Sequence, residues 1–432
     1  MGNEWKTLPL EECMSAIIDY RGKSPKKTQF GIPLITAKII KDGRIEQANE
    51  FIAEMDFDSW MRRGMPKPGD IVMTTEAPLG EVAQLDGRKL ALAQRVIALR
   101  GKDNLLDNTF LKFLLQSHLV QEELRARGTG TTVIGIRQSE LRKVSLTIPP
   151  FPEQKAIAHI LGTLDDKIEL NRRMNATLEA MAQALFKSWF IDFDPVRAKL
   201  DGRLTAGLNP ATAALFPDCF QDSPLGRIPN GWEVGSILRQ ADLLSGGTPK
   251  TDVVAYWGGD VPWASAKDVS QCGEAFLITT ERTITKLGLE ESSTKIIPAF
   301  STVVVARGAT TGRLTMFGHS MAMNQTCYGL RSKLNVPFAL YCNARDFIER
   351  LVQGGHGSIF DTITTSTFEA TDILLAPKEV LLAFDKQVAP LFKQLLANLH
   401  ESRTLAVLRD TLLPKLLSGE LSVGSLEKEV SA

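Results

Sequence analysis

The sequence predicts an α/β (α+β) protein made of two similar globular halves, related by a pseudo-two-fold, with an antiparallel coiled coil of two long helices between them. Segments near the start of the chain recur about 230 residues later in the same order. Each half closes with a long helical pattern after a proline, near Pro150 and Pro377, and both patterns carry an apolar seam. A repeat this long indicates a duplicated domain, since solenoid repeats have periods of roughly 20–50 residues.

The duplication rests on several matched positions. In chain order they are Trp5 with Trp232, residues 31–38 with 260–267, residues 71–80 with 303–312, and Gln94, Leu99 and Arg100 with Gln325, Leu330 and Arg331. Two such halves on one chain can recognise two different targets and bind two copies of one partner.

Composition limits the class of protein. With 432 residues and 44% apolar content, the chain can bury more than one core. Lys plus Arg and Asp plus Glu both total 50, so net charge does not argue for or against a polyanion partner. The five cysteines form no CxxC pair, which predicts neither a disulfide framework nor a zinc site. There is no signal segment and no apolar run of about 18 residues, so we expect a cytoplasmic protein without a membrane partner.

Residues 1–150 are predicted to mix short strands with helices. Runs with β-type composition, bounded by Pro and Gly, lie at 31–35, 70–74 and 95–99. Apolar residues on one side of 109–125 predict a single helix. A loop of small and hydroxyl residues follows at 127–135, with a counterpart at 353–360. This composition suits an exposed loop that approaches something closely.

The longest predicted element is a helix at 152–190. Its seam alternates spacings of four and three over Ile157, Leu161, Leu164, Ile168, Asn171, Asn175, Leu178, Ala182, Leu185 and Trp189. A second helix is predicted at 384–417, with Pro414 kinking or fraying its last turn. The pair predicts an antiparallel intramolecular coiled coil, and two ordinary core helices are the alternative. Asn171 and Asn175 either fix the register of the seam or face solvent where the helices splay.

A search for catalytic motifs finds none that is complete. Residues 149–151 match the tail of the motif with which DNA amino-methyltransferases hold a target amine, but Ile148 stands where Asn or Asp is required. No GxGxxG or GxxxxGK[ST] loop is present. Residues 153–155 lack the upstream Pro-Asp partner of a nuclease motif, and the histidines are scattered singly. An enzyme with its own catalytic site is therefore not predicted.

Three regions resemble the specificity subunits of type I restriction–modification systems. They are residues 186–199, which open with a Phe-Lys-Ser-Trp-Phe run, residues 148–154 together with 168–173, and residues 411–421, which contain Leu-Pro-Lys. With the duplication, the resemblance spans nearly the whole chain. Residues 384–387 match 151–154 only weakly, so the second helix is expected to dock its partner differently.

The resemblance implies a non-catalytic DNA reader. Each half would be a target-recognition domain for one part of a bipartite, gapped site in double-stranded DNA, and the two helices would form a fixed spacer. Two modification (methyltransferase) subunits and the restriction (translocase/nuclease) subunits would be its partners. The chain would bind no cofactor or metal, because S-adenosylmethionine, ATP and Mg would belong to those subunits. The open alternatives are a DNA adenine methyltransferase or nuclease with its own site, and a coiled-coil scaffold without nucleic-acid contact.

The expected segments are a first target-recognition domain at 1–150, a central long helix at 151–190, a connector at 191–228, a second target-recognition domain at 229–377, a distal long helix at 378–421 and a tail at 422–432. Residue type and loop position nominate DNA-binding side chains. In the first domain they are Arg21, Lys23, Lys26, Lys27, Lys38, Thr129, Thr131, Thr132 and Arg137. In the second they are Thr248, Lys250, Lys267, Arg307, Thr310, Arg313, Asn324, Gln325, His356 and Ser358. Phe186, Trp189 and Phe190 are expected to contact a modification subunit.

Overall fold

The chain forms two compact units. The computed structural model describes residues 5–354 and 362–424, apart from positions 21, 23, 204 and 206. The first unit combines the chain up to Ile168 with the segment from Thr404 onward, and the second runs from Glu169 to Arg403. Both long helices pass from one unit into the other, so each contributes residues to both.

The first unit contains the strands and short helices of the first half. The strands are β1 (Lys6–Pro9), β2 (Met14–Asp19), β3 (Lys27–Thr28), β4 (Ile32–Ile35), β5 (Ile40–Lys41), β6 (Arg44–Ile45), β7 (Phe51–Ile52), β8 (Ile71–Thr75), β9 (Leu79–Gln84), β10 (Ala91–Leu92), β11 (Val96–Gly101) and β12 (Ser145–Ile148). The helices are α1 (Leu10–Cys13), α2 (Phe57–Trp60), α3 (Asn108–Gln116), α4 (His118–Ala126) and α5 (Gln138–Leu141).

The first long helix and the second half follow. The helices are α6 (Phe151–Phe190), α7 (Asp194–Leu200), α8 (Pro210–Ala214), α9 (Ala266–Gln271), α10 (Lys286–Glu290), α11 (Pro337–Gly354), α12 (Thr365–Ala370) and α13 (Lys378–Leu417). The strands are β13 (Phe220–Ser223), β14 (Gly226–Pro229), β15 (Glu233–Ser236), β16 (Ala241–Ser245), β17 (Trp257–Ala264), β18 (Phe276–Leu277), β19 (Arg282–Ile284), β20 (Ile296–Ile297), β21 (Thr302–Val305), β22 (Leu314–Phe317), β23 (Met321–Met323), β24 (Cys327–Ser332) and β25 (Asp372–Leu375). None of these helices combines the length and apolar content needed to cross a bilayer.

The same strand order occurs in both units. One sheet runs β2-β11-β8-β9 in the first unit and β16-β24-β21-β22 in the second, where β18 adds a parallel edge. In the other sheet β4 is parallel to β10 and antiparallel to β7, just as β17 is parallel to β23 and antiparallel to β19. The terminal strands close each half, because β1 pairs with β12 and β15 with β25. The predicted duplication is confirmed.

Strand register corrects one of the matched segments. Ile71 lies opposite Leu99 on β11, and the residue opposite the equivalent Leu330 on β24 is Thr302. Ile71 therefore corresponds to Thr302, and the sequence alignment that set it against Val303 was wrong by one residue.

The cause of the misalignment is the hairpin that follows this strand. Ile71 faces Gln84 across the first hairpin, whereas Thr302 faces Met316 across the second. The second hairpin is one residue longer, and the Ala and Gly matches that guided the alignment lie in its loop. A loop match carries no information on register, because an inserted residue there leaves the strand pairing unchanged.

The helix predicted at 109–125 is two helices. Ser117 has an extended backbone (φ −64°, ψ 147°) between α3 and α4, and its side-chain oxygen accepts a hydrogen bond from the Val120 amide. Serine is a favoured N-cap residue, so this one position ends the first helix and starts the second without breaking the apolar pattern.

The two long helices pack antiparallel, as predicted. In the second unit the rings of Phe186 and Phe384 lie 5.9 Å apart, while Asn171 bonds to Glu401 near the other end of the same helix segments. Helix α13 begins at Lys378, six residues before the predicted seam pattern at 384–417, and continues through Pro414 to Leu417. The antiparallel pairing is confirmed within each unit.

Both long helices also complete the domain cores. Ile157, Leu161 and Leu416 belong to the main core of the first unit, and Phe384 and Phe392 belong to the main core of the second. Each long helix therefore pairs with the other as predicted for a coiled coil and also packs into a domain core as an ordinary core helix would. The segment predicted as a connector contains α7, α8 and the β13–β14 hairpin.

Candidate nucleic-acid interface

Three segments meet at the carboxyl end of β8 in the first unit. The Thr75 amide donates to the Arg95 carbonyl at 2.9 Å, and the Ile136 amide donates to the Thr75 carbonyl at 2.9 Å. The loop before Ile136 is closed by paired backbone bonds between Thr129 and Gly135 at 2.8 and 3.0 Å. The strand end, the turn before β11 and the small-residue loop are thus held together by the backbone.

The second unit repeats this arrangement at the end of β21. The Ala306 amide donates to the Thr326 carbonyl at 2.8 Å, and the Ile363 amide donates to the Ala306 carbonyl at 2.8 Å. Glu76 pairs with Gly135 as an isolated bridge in the first unit, just as Arg307 pairs with Thr362 in the second.

We call these places the strand-end junctions. The first junction comprises residues 75–76, 94–95 and 135–136, and the second comprises residues 306–307, 325–326 and 362–363. The backbone bonds make the residues of one junction equivalent, in this order, to those of the other.

The side chains at the junctions diverge although the backbones agree. In the first junction Arg95 pairs with Glu76 at 2.6 Å, and the two side chains are 50% and 42% exposed. The equivalent positions in the second junction hold Thr326 and Arg307. Thr326 donates its hydroxyl to the side chain of Asn324 at 2.8 Å, and Arg307 is exposed. An acid in one unit is thus replaced by a base in the other.

A glutamine occupies the same position in both junctions, and in each it accepts a hydrogen bond from a hydroxyl group. The hydroxyl of Ser24 donates to Oε1 of Gln94 at 2.9 Å, and the hydroxyl of Thr248 donates to Oε1 of Gln325. Gln94 is partly exposed and Gln325 is exposed. Each glutamine therefore lies next to the divergent side chains of its junction, and the hydroxyl hydrogen bond restrains its rotamer.

A close backbone approach brings the hydroxyl to the glutamine in the second unit. A Cβ on Gly246 would lie 2.1 Å from the Asn324 carbonyl oxygen, so only glycine fits there. The next residue, Gly247, donates its amide to the Met323 carbonyl at 2.9 Å. These contacts seat Thr248 against the turn that carries Gln325.

The structure places the candidate residues of the first unit on exposed surface. Lys26, Lys38, Thr129, Thr131, Thr132 and Arg137 are all exposed. Lys27 is exposed and lies 2.7 Å from Glu50. An exposed pair of this kind contributes little to stability, so it leaves the lysine available to another anion. Arg21 and Lys23 lie outside the described residues.

The second-unit candidates differ in their surroundings. Thr248, Arg307, Asn324 and Gln325 lie at or beside the junction. Lys250 accepts a hydrogen bond on its carbonyl from the Trp257 indole at 3.1 Å. Lys267 pairs with Glu281 at 2.7 Å, and that bond raises the pKa of the lysine. Thr310 and Arg313 occupy the β21–β22 loop, where the Arg313 amide donates to the Thr310 carbonyl at 3.1 Å. His356 and Ser358 lie outside the described residues.

No cluster of three or more metal-ligating side chains occurs in the part of the chain that the structure describes.

Comparison with known proteins identifies the family. The model of the type I restriction modification DNA specificity domain matches residues 4–180 and again residues 229–409. The chain belongs to this family.

Named relatives agree with this assignment. The specificity subunit of the type I restriction enzyme HindI from Haemophilus influenzae is 30% identical over 382 residues, which cover 76% of this chain and 81% of that protein. The MjaIX specificity subunit from Methanocaldococcus jannaschii is 27% identical over 405 residues, or 91% and 88% of the two chains. The crystal structure of a type I restriction–modification S subunit from M. genitalium covers 96% of both chains with a TM-score of 0.58 and 16% identity, which shows a shared fold. The chain is thus classed with non-catalytic DNA-recognition components rather than with enzymes.

Sequence reasoning missed part of the junction in this specificity-family chain. It named Gln325 but not its repeat partner Gln94, although the repeat alone identified both. It also omitted Glu76, because the misaligned strand hid its equivalence to Arg307, and Arg95, although the repeat set that residue against Thr326. Position in the repeat was the available signal for the glutamine and for Arg95, whereas Glu76 required the strand register.

An exposed cation over an aromatic ring was also missed. The guanidinium of Arg282 stacks 3.5 Å from the ring centre of Trp257, and Trp257 in turn bonds to the carbonyl of Lys250. Stacked arginines are common in nucleic-acid recognition, and this one lies beside a nominated lysine.

The structure gives Phe186, Trp189 and Phe190 a packing role instead of the docking role expected from the sequence. Their exposed fractions are 8%, 2% and 9%, and all three rings contact Phe384 on α13. Phe190 also packs against Trp232. Little of these rings is left for a partner to contact, so we do not propose them as its main docking residues.

Proposed function

We propose that this chain is the sequence-reading subunit of a type I restriction–modification complex, and that it recognises a bipartite, gapped site in double-stranded DNA. Each half acts as one target-recognition domain, with bounds at 1–150 and 229–377. The long helices at 151–190 and 378–421 hold two modification subunits, and the restriction subunits join that assembly in the cytoplasm. S-adenosylmethionine, ATP and Mg serve the partner subunits.

The divergence of the two strand-end junctions carries this proposal. The two junctions share their backbone frame but not their exposed charged side chains. Here identical backbone bonds carry an acidic side chain, Glu76, in one unit and a basic one, Arg307, in the other. Because base edges are read by the donor and acceptor pattern of side chains, two such junctions fit two different half-sites.

Positive side chains near each junction support DNA as the ligand. Lys26 and Lys27 flank the first, and Lys250 follows Thr248 beside the second. Phosphate contacts of this kind position a protein on the duplex while base contacts select the sequence. The basic loops and the divergent junctions supply both kinds of contact.

The genomic methylation pattern of cells that carry this chain with its cognate modification subunits tests the proposal. We expect methylated adenines within one gapped, asymmetric motif. A matched chimera, with residues 1–150 taken from another family member, should change one half of the motif and leave the other half intact. Methylation without a two-part motif, or a chimera that changes both halves or neither, would contradict the modular function.

A further inference from the structure

Each strand-end junction offers one restrained glutamine and one arginine, and the arginine comes from a different strand in each unit. In the first unit it is Arg95, which precedes β11, held by the Glu76 carboxylate. In the second it is Arg307, which follows β21, while Thr326 occupies the place of Arg95. The glutamine therefore occupies the same position in both junctions. The arginine occupies positions on two adjacent strands of the common frame, one in each unit.

We infer that the junctions are the base-reading centres of the two domains: Gln94 and Gln325 make the same contact in both half-sites, and Arg95 and Arg307 read a guanine at a different position in each. The inference rests on the proposed function and specifies the residues that carry it.

The glutamines suit a contact with adenine. A glutamine amide can accept from adenine N6 and donate to N7 at once. The hydroxyl of Ser24 or Thr248 takes one lone pair of the amide oxygen, which leaves the second lone pair and the NH2 group for the base. Restraining the side chain before binding also lowers the entropy lost on binding.

The arginines suit guanine. A guanidinium donates two parallel hydrogen bonds to guanine O6 and N7, and the Glu76 carboxylate fixes the plane of Arg95 while leaving other N–H groups free to donate. Arg95 precedes β11, whereas Arg307 follows β21, whose counterpart in the first unit is β8, the neighbour of β11. Adjacent strands lie about 4.8 Å apart, so the two guanidinium groups occupy different places in the common frame and read different base pairs of their half-sites. One frame can thereby read two sequences.

The decisive variant transposes the arginine in the first unit by the double substitution Glu76→Arg and Arg95→Thr. It is made in the full chain and assembled with the modification subunits, and the methylated motif is determined by genomic sequencing. We expect the guanine of the first half-site to move or be lost, with its adenine and the whole second half-site unchanged. Gln94→Ala should weaken methylation about tenfold to hundredfold at sites whose first half requires that adenine, a range typical of one bidentate base contact.

The control uses a surface ion pair of the same type in the same unit. Arg88 and Asp86 lie 2.7 Å apart with 70% and 52% of their side chains exposed, and they lie outside the junction. The double substitution Asp86→Arg and Arg88→Thr should leave the motif unchanged.

The outcomes separate the two proposals. A wild-type complex without a two-part motif overturns the proposed function. A two-part motif that the junction transposition leaves unaltered, at wild-type methylation, overturns the inference alone. If the transposed chain fails to fold by thermal melting, Arg95→Lys replaces it, because lysine keeps the charge but not the bidentate contact. Arg95→Lys should relax the guanine position, and an unrelaxed position again overturns the inference.

Discussion

Two asparagines on the seam of α6 show that a heptad position can predict which side chains are buried. Asn171 and Asn175 are 0% and 2% exposed, and Nδ2 of Asn398 donates to Oδ1 of Asn175 at 2.9 Å. Asn171 donates to Glu401 at 2.8 Å. The heptad placed both asparagines on the seam, and the structure confirms that they face the opposite helix rather than solvent. Polar pairs at such positions favour one register over others.

Removing one partner of the Asn175–Asn398 bond should cost more than removing both. Asn175→Leu leaves a buried amide donor of Asn398 unpaired, a cost of about 1–3 kcal/mol. The double variant Asn175→Leu, Asn398→Leu should recover most of that loss, because it buries apolar groups on both sides. Urea unfolding followed by circular dichroism gives the comparison. Equal midpoints for the single variant and the wild type would mean that this bond does not contribute to stability.

The cysteines predict a pH-dependent labelling pattern. Cys219 is exposed and Cys272 is partly exposed, whereas Cys13, Cys327 and Cys342 are buried. Burial raises the pKa of Cys327 to about 12, and only the thiolate reacts. Local desolvation and Asp218 raise the pKa of Cys219 above the ordinary thiol value of 9.0. We therefore expect Cys219 to react first, at a rate that still climbs above pH 9, and Cys219→Ser to remove this phase. A fast phase that persists unchanged in Cys219→Ser would contradict the assignment of the fastest reaction to Cys219.

At the scale of elements, one carboxylate joins three helices in the first unit. Asp165 on α6 receives hydrogen bonds from Lys112 on α3 at 2.5 Å and from Arg409 on α13 at 2.7 Å. Lys112 is only 8% exposed. The domain core and both long helices thus depend on the same charge.

Asp165→Asn should destabilise this three-helix contact strongly. It leaves the buried Lys112 ammonium without its counter-ion, and breaking a buried pair costs about 3–5 kcal/mol. Hydrogen exchange of the α3 amides should speed up accordingly. The neighbouring Asp166 is exposed, so Asp166→Asn is the matched control and should change stability by no more than about 0.5 kcal/mol. Similar effects from the two substitutions would show that the Asp165 contact does not stabilise the unit.

At the scale of the whole molecule, the proposed function makes the helix length a determinant of the gap in the DNA site. Four residues added after Ile168 in α6 and four after Arg403 in α13 would lengthen each helix by about 6 Å and rotate the residues beyond each insertion by about 40° more than one turn. One base pair adds about 3.4 Å and roughly 35° of twist. The methylated motif should keep both half-sequences and gain one or two base pairs in its gap.

The control inserts four residues in α6 alone. Because α13 keeps its length, the Asp165–Arg409 and Asn175–Asn398 bonds can no longer form in register together. This variant should therefore weaken assembly with the modification subunits rather than lengthen the gap. If the paired insertion methylates the wild-type motif with its gap unchanged, the spacer role is excluded and the helices serve only the cores and partner binding.

The sequence by itself determined the duplication, the two long helices and the family. These features depend on local order: a period of seven places a seam on one helix face, and repeated segments need only be compared along the chain. It also nominated Thr248, Arg307 and Gln325 from their position between predicted strands, and these residues lie at or beside the second junction. Ser117 was readable as an N-cap, yet the unbroken apolar pattern concealed the helix boundary there.

Only the tertiary structure decided what meets at the junctions and what is buried. The equivalence of Glu76 with Arg307 follows from hydrogen-bond register between strands, and a one-residue difference in a hairpin loop hides it from sequence comparison. Phe186, Trp189 and Phe190 look like a docking surface in sequence, but Phe384 and Trp232 from distant parts of the chain cover them. Long-range pairing decides both cases, because strand register and burial depend on contacts between residues far apart in the sequence, which a local pattern cannot report.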